Sequence, residues 1–275
     1  MHVRDVLFKA NEVLRGSLDA EILLSHILKK RREEIFAHPE MPVSNRDALK
    51  FEQGVKQRSS GVPLAYITNH REFYKLDFYV DECVLIPRPE TEAVTEKAIE
   101  LCEGLSEPFL CDVGTGSGCL AIALAKNLPA GKFFAVDISE DALAVAKRNA
   151  KSHGVESRIE FLKSDLLGEV IDRAFNGIVA NLPYIGLEEN NFVEKEVLDH
   201  EPHTALFGGS SGFELFDKMF GQIKEMAARP KWLVGEMGFS QKDGMEKLIK
   251  RHFGRARVAW QSDLAGLDRT FTIYF

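Results

Sequence analysis

The sequence predicts an α/β protein with an open, mostly parallel sheet covered by helices on both faces. A small helical unit precedes the sheet. Two observations carry this. From about residue 88 onward, short apolar runs alternate with amphipathic segments, the pattern of strands joined by crossover helices. The first of those runs also leads directly into a glycine-rich turn, Gly114-Thr115-Gly116-Ser117-Gly118.

Residues 1–70 read as a helical bundle. Val3, Val6, Leu7, Ala10, Val13 and Leu14 recur at helical spacing. Gly16 breaks that segment, and Ser17 is placed to cap a second helix with Asp19 and Glu21 in its first turn. Ile22, Leu23, Ile27 and Leu28 form its buried side, and the basic run from Lys29 to Arg32 closes it. A further helix from about Ser44 to Arg58 carries Ala48, Leu49, Phe51 and Val55. Residues 71–87 read as a β-hairpin linker. Its apolar positions are Phe73, Leu76, Phe78, Val80, Val84 and Ile86, and its turn is at Asp81-Glu82. Pro87-Arg88-Pro89 ends the ladder.

Residues 88–275 form the α/β domain. Strands are expected over Phe109–Val113, Phe133–Val136, Ile159–Leu162, Gly177–Ala180 and Trp232–Gly235. Helices are expected over Glu90–Leu101, Leu120–Asn127, Asp141–His153, Phe213–Ala228 and Gln241–His252. Val258–Trp260 and Thr270–Phe275 read as a terminal strand pair.

The bulk properties narrow the function class. A net charge of −7 argues against a protein built mainly to hold a nucleic-acid backbone. Four cysteines without a Cys-x-x-Cys pair read as free thiols in a reducing compartment, and Cys111 and Cys119 as packing residues. The N-terminal segment has no apolar stretch of signal-peptide length, and no run reaches the ~18 apolar residues of a membrane span. A cytoplasmic protein is expected. His200 and His203, separated by Glu201-Pro202, read as loop residues, and no cluster has metal-ligand spacing, so no metal is expected.

The glycine turn offers close backbone approach to a ligand and the free N–H groups of a helix start. Its spacing is Gly-x-Gly-x-Gly. A dinucleotide fingerprint would need Gly where Cys119 stands, and a phosphate-binding loop would need a Gly-Lys-Ser or Gly-Lys-Thr ending, which is absent. Asp137 ends the second strand of the domain and can accept both hydroxyls of a ribose. Asp165, in Ser164-Asp165-Leu166 after the third, can accept from an adenine amino group. An adenosine-containing cofactor without a phosphate grip is S-adenosylmethionine (SAM) rather than NAD. Its candidate contacts are Asp112, Gly114, Thr115, Gly116, Ser117, Gly118, Asp137, Asp165, Leu166 and Asn181.

The fourth strand ends in Asn181-Leu182-Pro183-Tyr184. This loop suits methyl transfer to a planar NH2 group. The nitrogen lone pair of an amide is delocalised, as the ~18–20 kcal/mol barrier to C–N rotation shows, so it is a poor nucleophile. Two acceptors can hold the NH2 with its lone pair aimed at an electrophile. Asn181 Oδ1 is one candidate and the carbonyl of Leu182 the other. Pro183 fixes the direction of that carbonyl, and Tyr184 can stack on the substrate.

Several segments resemble the HemK/PrmC family of protein-(glutamine-N5) methyltransferases over nearly the whole chain. They are Arg71-Glu72-Phe73-Tyr74, Leu85-Ile86-Pro87-Arg88-Pro89-Glu90-Thr91-Glu92, Asp112 to Gly118 and Asn181 to Tyr184. Glu201 to Leu206 followed by Gly208-Gly209, and Asp263-Leu264-Ala265-Gly266-Leu267-Asp268-Arg269, complete the set. The resemblance implies a Rossmann-like class I SAM-dependent sheet. It also implies that the substrate is the glutamine of the Gly-Gly-Gln motif in peptide chain release factors, partly held by the N-terminal helices. By the same resemblance Asn181 and the Leu182 carbonyl hold the glutamine amide, with Pro183, Tyr184, Arg88 and Glu201 as further substrate-site candidates. Gly114, Gly116, Gly118 and Asp137 hold the cofactor. Leu182 departs from the family's usual Pro, and Asn-Leu-Pro-Tyr is also typical of ribosomal RNA adenine dimethyltransferases. The alternatives are therefore an amino methyltransferase acting on adenine in RNA or DNA, and a SAM-binding module without catalysis. The first should carry a basic track for phosphates. The RNA dimethylases also place their accessory helices after the catalytic domain. The second alternative leaves the intact Asn181 and Tyr184 without a task.

Overall fold

In the computed structural model, residues 1–15, 18–187 and 193–275 are described. The expected helix break at Gly16 and cap at Ser17 lie outside them. The chain divides into two compact units, one of residues 1–70 with 194–200 and one of 71–193 with 201–275.

The first unit consists of α1 (Val3–Leu14), α2 (Leu18–Leu28), α3 (Arg32–Ala37), α4 (Asn45–Ser59), α5 (Leu64–Thr68) and the returning α9 (Lys195–His200). Ser44 caps α4 by accepting the Asp47 N–H at 3.1 Å. Val3, Val6, Ala10, Leu23, Leu24, Phe51 and Val55 are among the residues of its core. Two expected core positions face outward: Val13 is 55% and Leu49 61% exposed. Leu49 lies away from the buried face of its helix, where an isolated apolar residue is common, while Val13 continues the Val6 and Ala10 stripe at the wall of a surface cavity. The basic run does not only close α2. Arg32 opens α3, and Lys30 and Arg31 pair with Glu34 within that helix turn. Arg58 joins three parts of this unit, donating to Asp19 at 2.6 Å, the Val62 carbonyl at 3.1 Å and Glu196 at 2.7 Å.

The second unit begins with a hairpin of β1 (Arg71–Phe73) and β2 (Leu76–Phe78). Its turn is Tyr74-Lys75, both at positive φ, the geometry of a two-residue hairpin loop. The sequence reading put the turn at Asp81-Glu82. There the Asp81 carboxylate instead accepts the Cys83 N–H at 3.1 Å, and Val80, Val84 and Ile86 are buried without joining a ladder. Burial of alternate residues was read as pairing.

Strands β3 (Phe109–Val113), β4 (Lys132–Asp137), β5 (Ile159–Lys163), β6 (Gly177–Ala180), β7 (Trp232–Glu236), β8 (Arg257–Ser262) and β9 (Asp268–Tyr274) form one sheet, in the order β5-β4-β3-β6-β7-β9-β8. The first five positions are parallel, and β9 runs antiparallel to both neighbours. Helices α6 (Glu92–Leu101), α7 (Cys119–Asn127), α8 (Glu140–Ser152), α11 (Glu214–Glu225) and α12 (Lys242–Phe253) accompany the sheet. Two core clusters share its residues. One gathers Leu110, Val179, Val234 and the hairpin's Phe73 and Phe78, the other Cys111, Ile178, Phe216, Phe220 and Phe271. Covering on both faces explains why β6 and β7 are continuous apolar runs rather than alternating ones. The expected loop around the two histidines is helical on either side: His200 ends α9 and His203 opens α10 (His203–Leu206).

Strand order reverses between β3 and β6, the crevice at which open α/β sheets bind ligands beyond their carboxyl ends. Register sets what stands there. Val113 pairs with Val136 and with Ala180, so Gly114, Asp137 and Asn181 follow at one level. Ala180 pairs with Gly235, which brings Glu236 level with Asn181.

Candidate active site

A cavity of about 320 Å³ opens at this crevice, within the range of small-molecule sites. Its lining comes from the ends of four strands: Gly114 to Ser117, Asp137 to Ser139, Ser164 to Leu166 and Asn181 to Pro183. Cys83, Pro87, Arg88, Thr91, Phe207 and Leu215 are among the residues that complete the wall.

The glycine turn is bent by positive φ at Gly114, Gly116 and Gly118 (73°, 55° and 82°), which β-carbon-bearing residues rarely adopt. Space beside the Gly116 α-carbon is open, so a ligand can approach the main chain there. Gly118 caps α7 and does not line the cavity. A β-carbon on it would press on Ile122 and Ala146.

Asp137 holds the turn from the side. Its Oδ2 accepts the Gly116 N–H and its Oδ1 the Ser139 N–H, both at 2.9 Å. Burial pushes its carboxyl up, and those amide hydrogen bonds oppose the shift. Each oxygen retains a lone pair for a ligand hydroxyl. Asp165 also lines the cavity, with its carboxylate on Lys218 Nζ.

Asp112 lies behind the turn rather than on the cavity surface. It is 2% exposed and accepts from Thr115 Oγ1 at 2.7 Å and the Ala121 N–H at 3.2 Å through Oδ2, while Oδ1 has no partner. Burial raises its carboxyl to about 7, against the pull of those two bonds. An unfolded Asp titrates near ~3.9. Its contribution to stability is therefore complete below that pH and is lost as pH rises to about 7. Asn is the isostere of the protonated form. Asp112→Asn is expected to fold and to lose this part of the pH slope. Melting temperatures of both proteins without cofactor, at about pH 4.5 and 7.5, check it. A wild-type-to-variant difference that does not change with pH refutes the assignment.

Asn181 closes the other side. Its Nδ2 donates to Thr91 Oγ1 at 2.9 Å, and among the described residues no donor faces its Oδ1. Thr91 Oγ1 donates in turn to Glu236 Oε2 at 2.6 Å, and Tyr184 Oη donates to Glu236 Oε1 at 3.2 Å. Burial pushes the Glu236 carboxyl up, opposed by the hydrogen bonds from Thr91 and Tyr184 and by the charge of Arg269.

Leu182 is 2% exposed, packs in the core against the glycine turn at Gly114, and lines the cavity. Tyr184 differs from the expected stacking surface. Its ring packs against the core and it is absent from the cavity wall, because its hydroxyl is drawn to Glu236. Burial, then the Glu236 charge, pushes its phenol up. Glu201 is likewise a brace and not a wall residue. It accepts from Arg88 Nη2 at 2.5 Å and from the Ile86 N–H at 3.1 Å, which holds Arg88 at the rim. The sequence reading did not single out Thr91 or Glu236. A carboxylate ending the apolar run Trp232-Leu233-Val234-Gly235 was the available signal for the second.

The residues present fit SAM. The wall bears the carboxylates of Asp137 and Asp165, and the one Lys or Arg on it among the described residues, Arg88, is engaged by Glu201. That set suits a ribose and a cationic group better than a phosphate.

Fold and site together define a class I SAM-dependent methyltransferase. Solved structures with this fold include the human METTL16 N-terminal domain in complex with SAH (TM-score 0.53, 16% identity, covering 86% of this chain and 85% of that one). The hMettl16 catalytic domain in complex with a MAT2A 3′UTR hairpin is similar as well (TM-score 0.59, 13% identity, 86% and 84%). The sequence matches the PrmC N-terminal domain over residues 5–68 and the methyltransferase small domain over 100–209. It is 40% identical over 253 residues to the release factor glutamine methyltransferase of Koribacter versatilis, covering 92% of this chain and 89% of the relative. It is 40% identical over 271 residues to that of Chlorobaculum tepidum, covering 95% and 91%. The chain belongs to the release factor glutamine methyltransferase family.

Proposed function

We propose that this enzyme methylates the side-chain amide nitrogen of a release-factor glutamine, and that this glutamine is the one in the Gly-Gly-Gln motif of class I factors. The observation that carries the site assignment is Asn181, level with Gly114 and Asp137 at the strand-order reversal, whose Oδ1 meets no donor among the described residues. SAM, when bound, supplies an electrophilic methyl group on a sulfonium. The glycine turn and Asp137 hold its adenosine end, with Asp165 and Leu166 beside the base. Asn181 Oδ1 and the Leu182 carbonyl accept the two amide hydrogens, which leaves the nitrogen lone pair pointing across the cavity. Pro183 fixes the Leu182 carbonyl, and Tyr184 supports the loop from behind through Glu236. Orientation and fixed dipoles do the work; the nitrogen becomes strongly acidic on gaining the methyl group and releases one of its two hydrogens to water, so no general base is required. Arg88 at the rim faces the incoming polypeptide, and Glu201 keeps it there. The helical unit helps hold the release factor, and the enzyme works in the cytoplasm, where that substrate is made.

The reading is tested by incubating the protein with methyl-labelled SAM and purified release factors, then mapping label by peptide mass spectrometry. Label on the Gly-Gly-Gln glutamine is expected. Label entering RNA and not the release factor sinks the reading and favours the adenine alternative.

A further inference from the structure

We infer that Thr91 and Glu236 are positioning residues that decide which end of the Asn181 side-chain amide faces the methyl acceptor. The inference rests on the proposed role of Asn181 and deepens it. A primary amide has two ends of nearly equal shape and opposite polarity. Only the oxygen end can accept a hydrogen from the substrate NH2, so a flipped Asn181 would oppose donor to donor.

The flip is governed from two residues away. Glu236 is 1% exposed and is the acceptor in both of its side-chain hydrogen bonds. Its Oε2 takes the hydroxyl hydrogen of Thr91 at 2.6 Å, and its Oε1 takes that of Tyr184 at 3.2 Å. Thr91 has one hydroxyl hydrogen, and Glu236 consumes it. The group 2.9 Å from Thr91 Oγ1 on the other side must therefore be a donor, which is Asn181 Nδ2. Oδ1 is left on the cavity side. Turning the amide over would set oxygen against oxygen with no hydrogen between them. Thr91 is itself 2% exposed, so water does not offer an easy substitute for either partner. The polarity thus runs one way, from amide to hydroxyl to carboxylate. It is fixed by the parallel register that sets Glu236 beside Asn181.

Thr91→Val keeps the shape and removes the hydroxyl. Its kcat is expected to fall roughly 10- to 100-fold, the usual cost of losing a partner that orients a site residue. SAM affinity by equilibrium titration should stay within about twofold, because Asn181 and not the cofactor loop is released. Thr91→Ser restores the hydroxyl and should restore most of the rate. Glu236→Leu removes both acceptors, frees the Thr91 hydrogen for Asn181, and should lower kcat in the same way. A third readout needs no turnover: the Asn181 side-chain NH2 proton signals, protected in the wild type, should lose protection in Thr91→Val. Wild-type kcat in a folded Thr91→Val protein overturns the inference, as does failure of Thr91→Ser to recover. If Thr91→Val unfolds, unchanged kcat in a folded Glu236→Leu protein overturns it equally. A wild-type enzyme that never labels the release factor refutes the proposed function instead, so the two failures are distinct.

Discussion

Asn181→Ala is expected to lose methyl transfer while binding SAM almost as well as the wild type. The residue lines the cavity, but its side-chain bond goes to Thr91 and does not involve the glycine turn or Asp137. What disappears is one of two proposed acceptors for the amide hydrogens. Removing a single preorganised hydrogen-bonding group at a reacting centre lowers kcat on the order of 10²–10³-fold. Single-turnover rates at saturating SAM, together with SAM titration, separate the two effects. A large loss of SAM affinity would instead make Asn181 chiefly a cofactor residue. A rate within a fewfold of wild type would remove it from the chemistry altogether.

The second large effect comes from a residue that touches neither ligand. A β-carbon added at Gly208 would stand 2.1 Å from the Pro183 carbonyl oxygen and 3.0 Å from the Gly212 oxygen. Both obstacles are main chain, so neither can swing away as a side chain would. Gly208 also donates its N–H to the Ile185 carbonyl at 3.0 Å, just beyond the Asn181–Tyr184 loop. Gly208→Ala should therefore push that loop toward or across the cavity. A displacement of about 1 Å at a reacting centre can cost ~10² in rate. A comparable fall in kcat and a lowered melting temperature are expected. Gly221→Ala, within α11, is the control: no atom lies within 4 Å of its added β-carbon, and the change should stabilise the helix by about 0.5–1 kcal/mol without altering kcat. Equal kcat for Gly208→Ala and wild type would show that the loop is not held by this close contact.

Much of this molecule was legible in the chain because the responsible forces are local. The strands Phe109–Val113 and Gly177–Ala180 were read with their observed limits, since a short apolar run closed by Gly or Asn has few other readings. Gly114, Asp137 and Asn181 could be placed together because all three end strands of one sheet, and parallel pairing carries strand ends to one side. The misreadings concern long-range partners. The hairpin turn moved to Tyr74-Lys75, since two non-glycine residues at positive φ leave no composition signal. Tyr184 turned away from the cavity because of Glu236, a residue 52 positions later in the chain. Thr91, 90 positions before Asn181, was hidden for the same reason. Asp112 belonged to the glycine turn in sequence, but whether such an acid meets a ligand or braces a loop depends on Ala121 and Thr115.

The return of residues 194–200 to the helical unit makes that unit a two-piece assembly and not a detachable cassette. A fragment ending at residue 70 keeps Arg58 and Asp19 and loses Glu196, one of the two carboxylates on that guanidinium. The complementary truncation leaves α9 with its acid and without the arginine. Grafting this helical unit onto another methyltransferase therefore requires transplanting two stretches of chain at once. Among relatives, the residue at 58 and the residue at 196 are expected to be inherited as a pair.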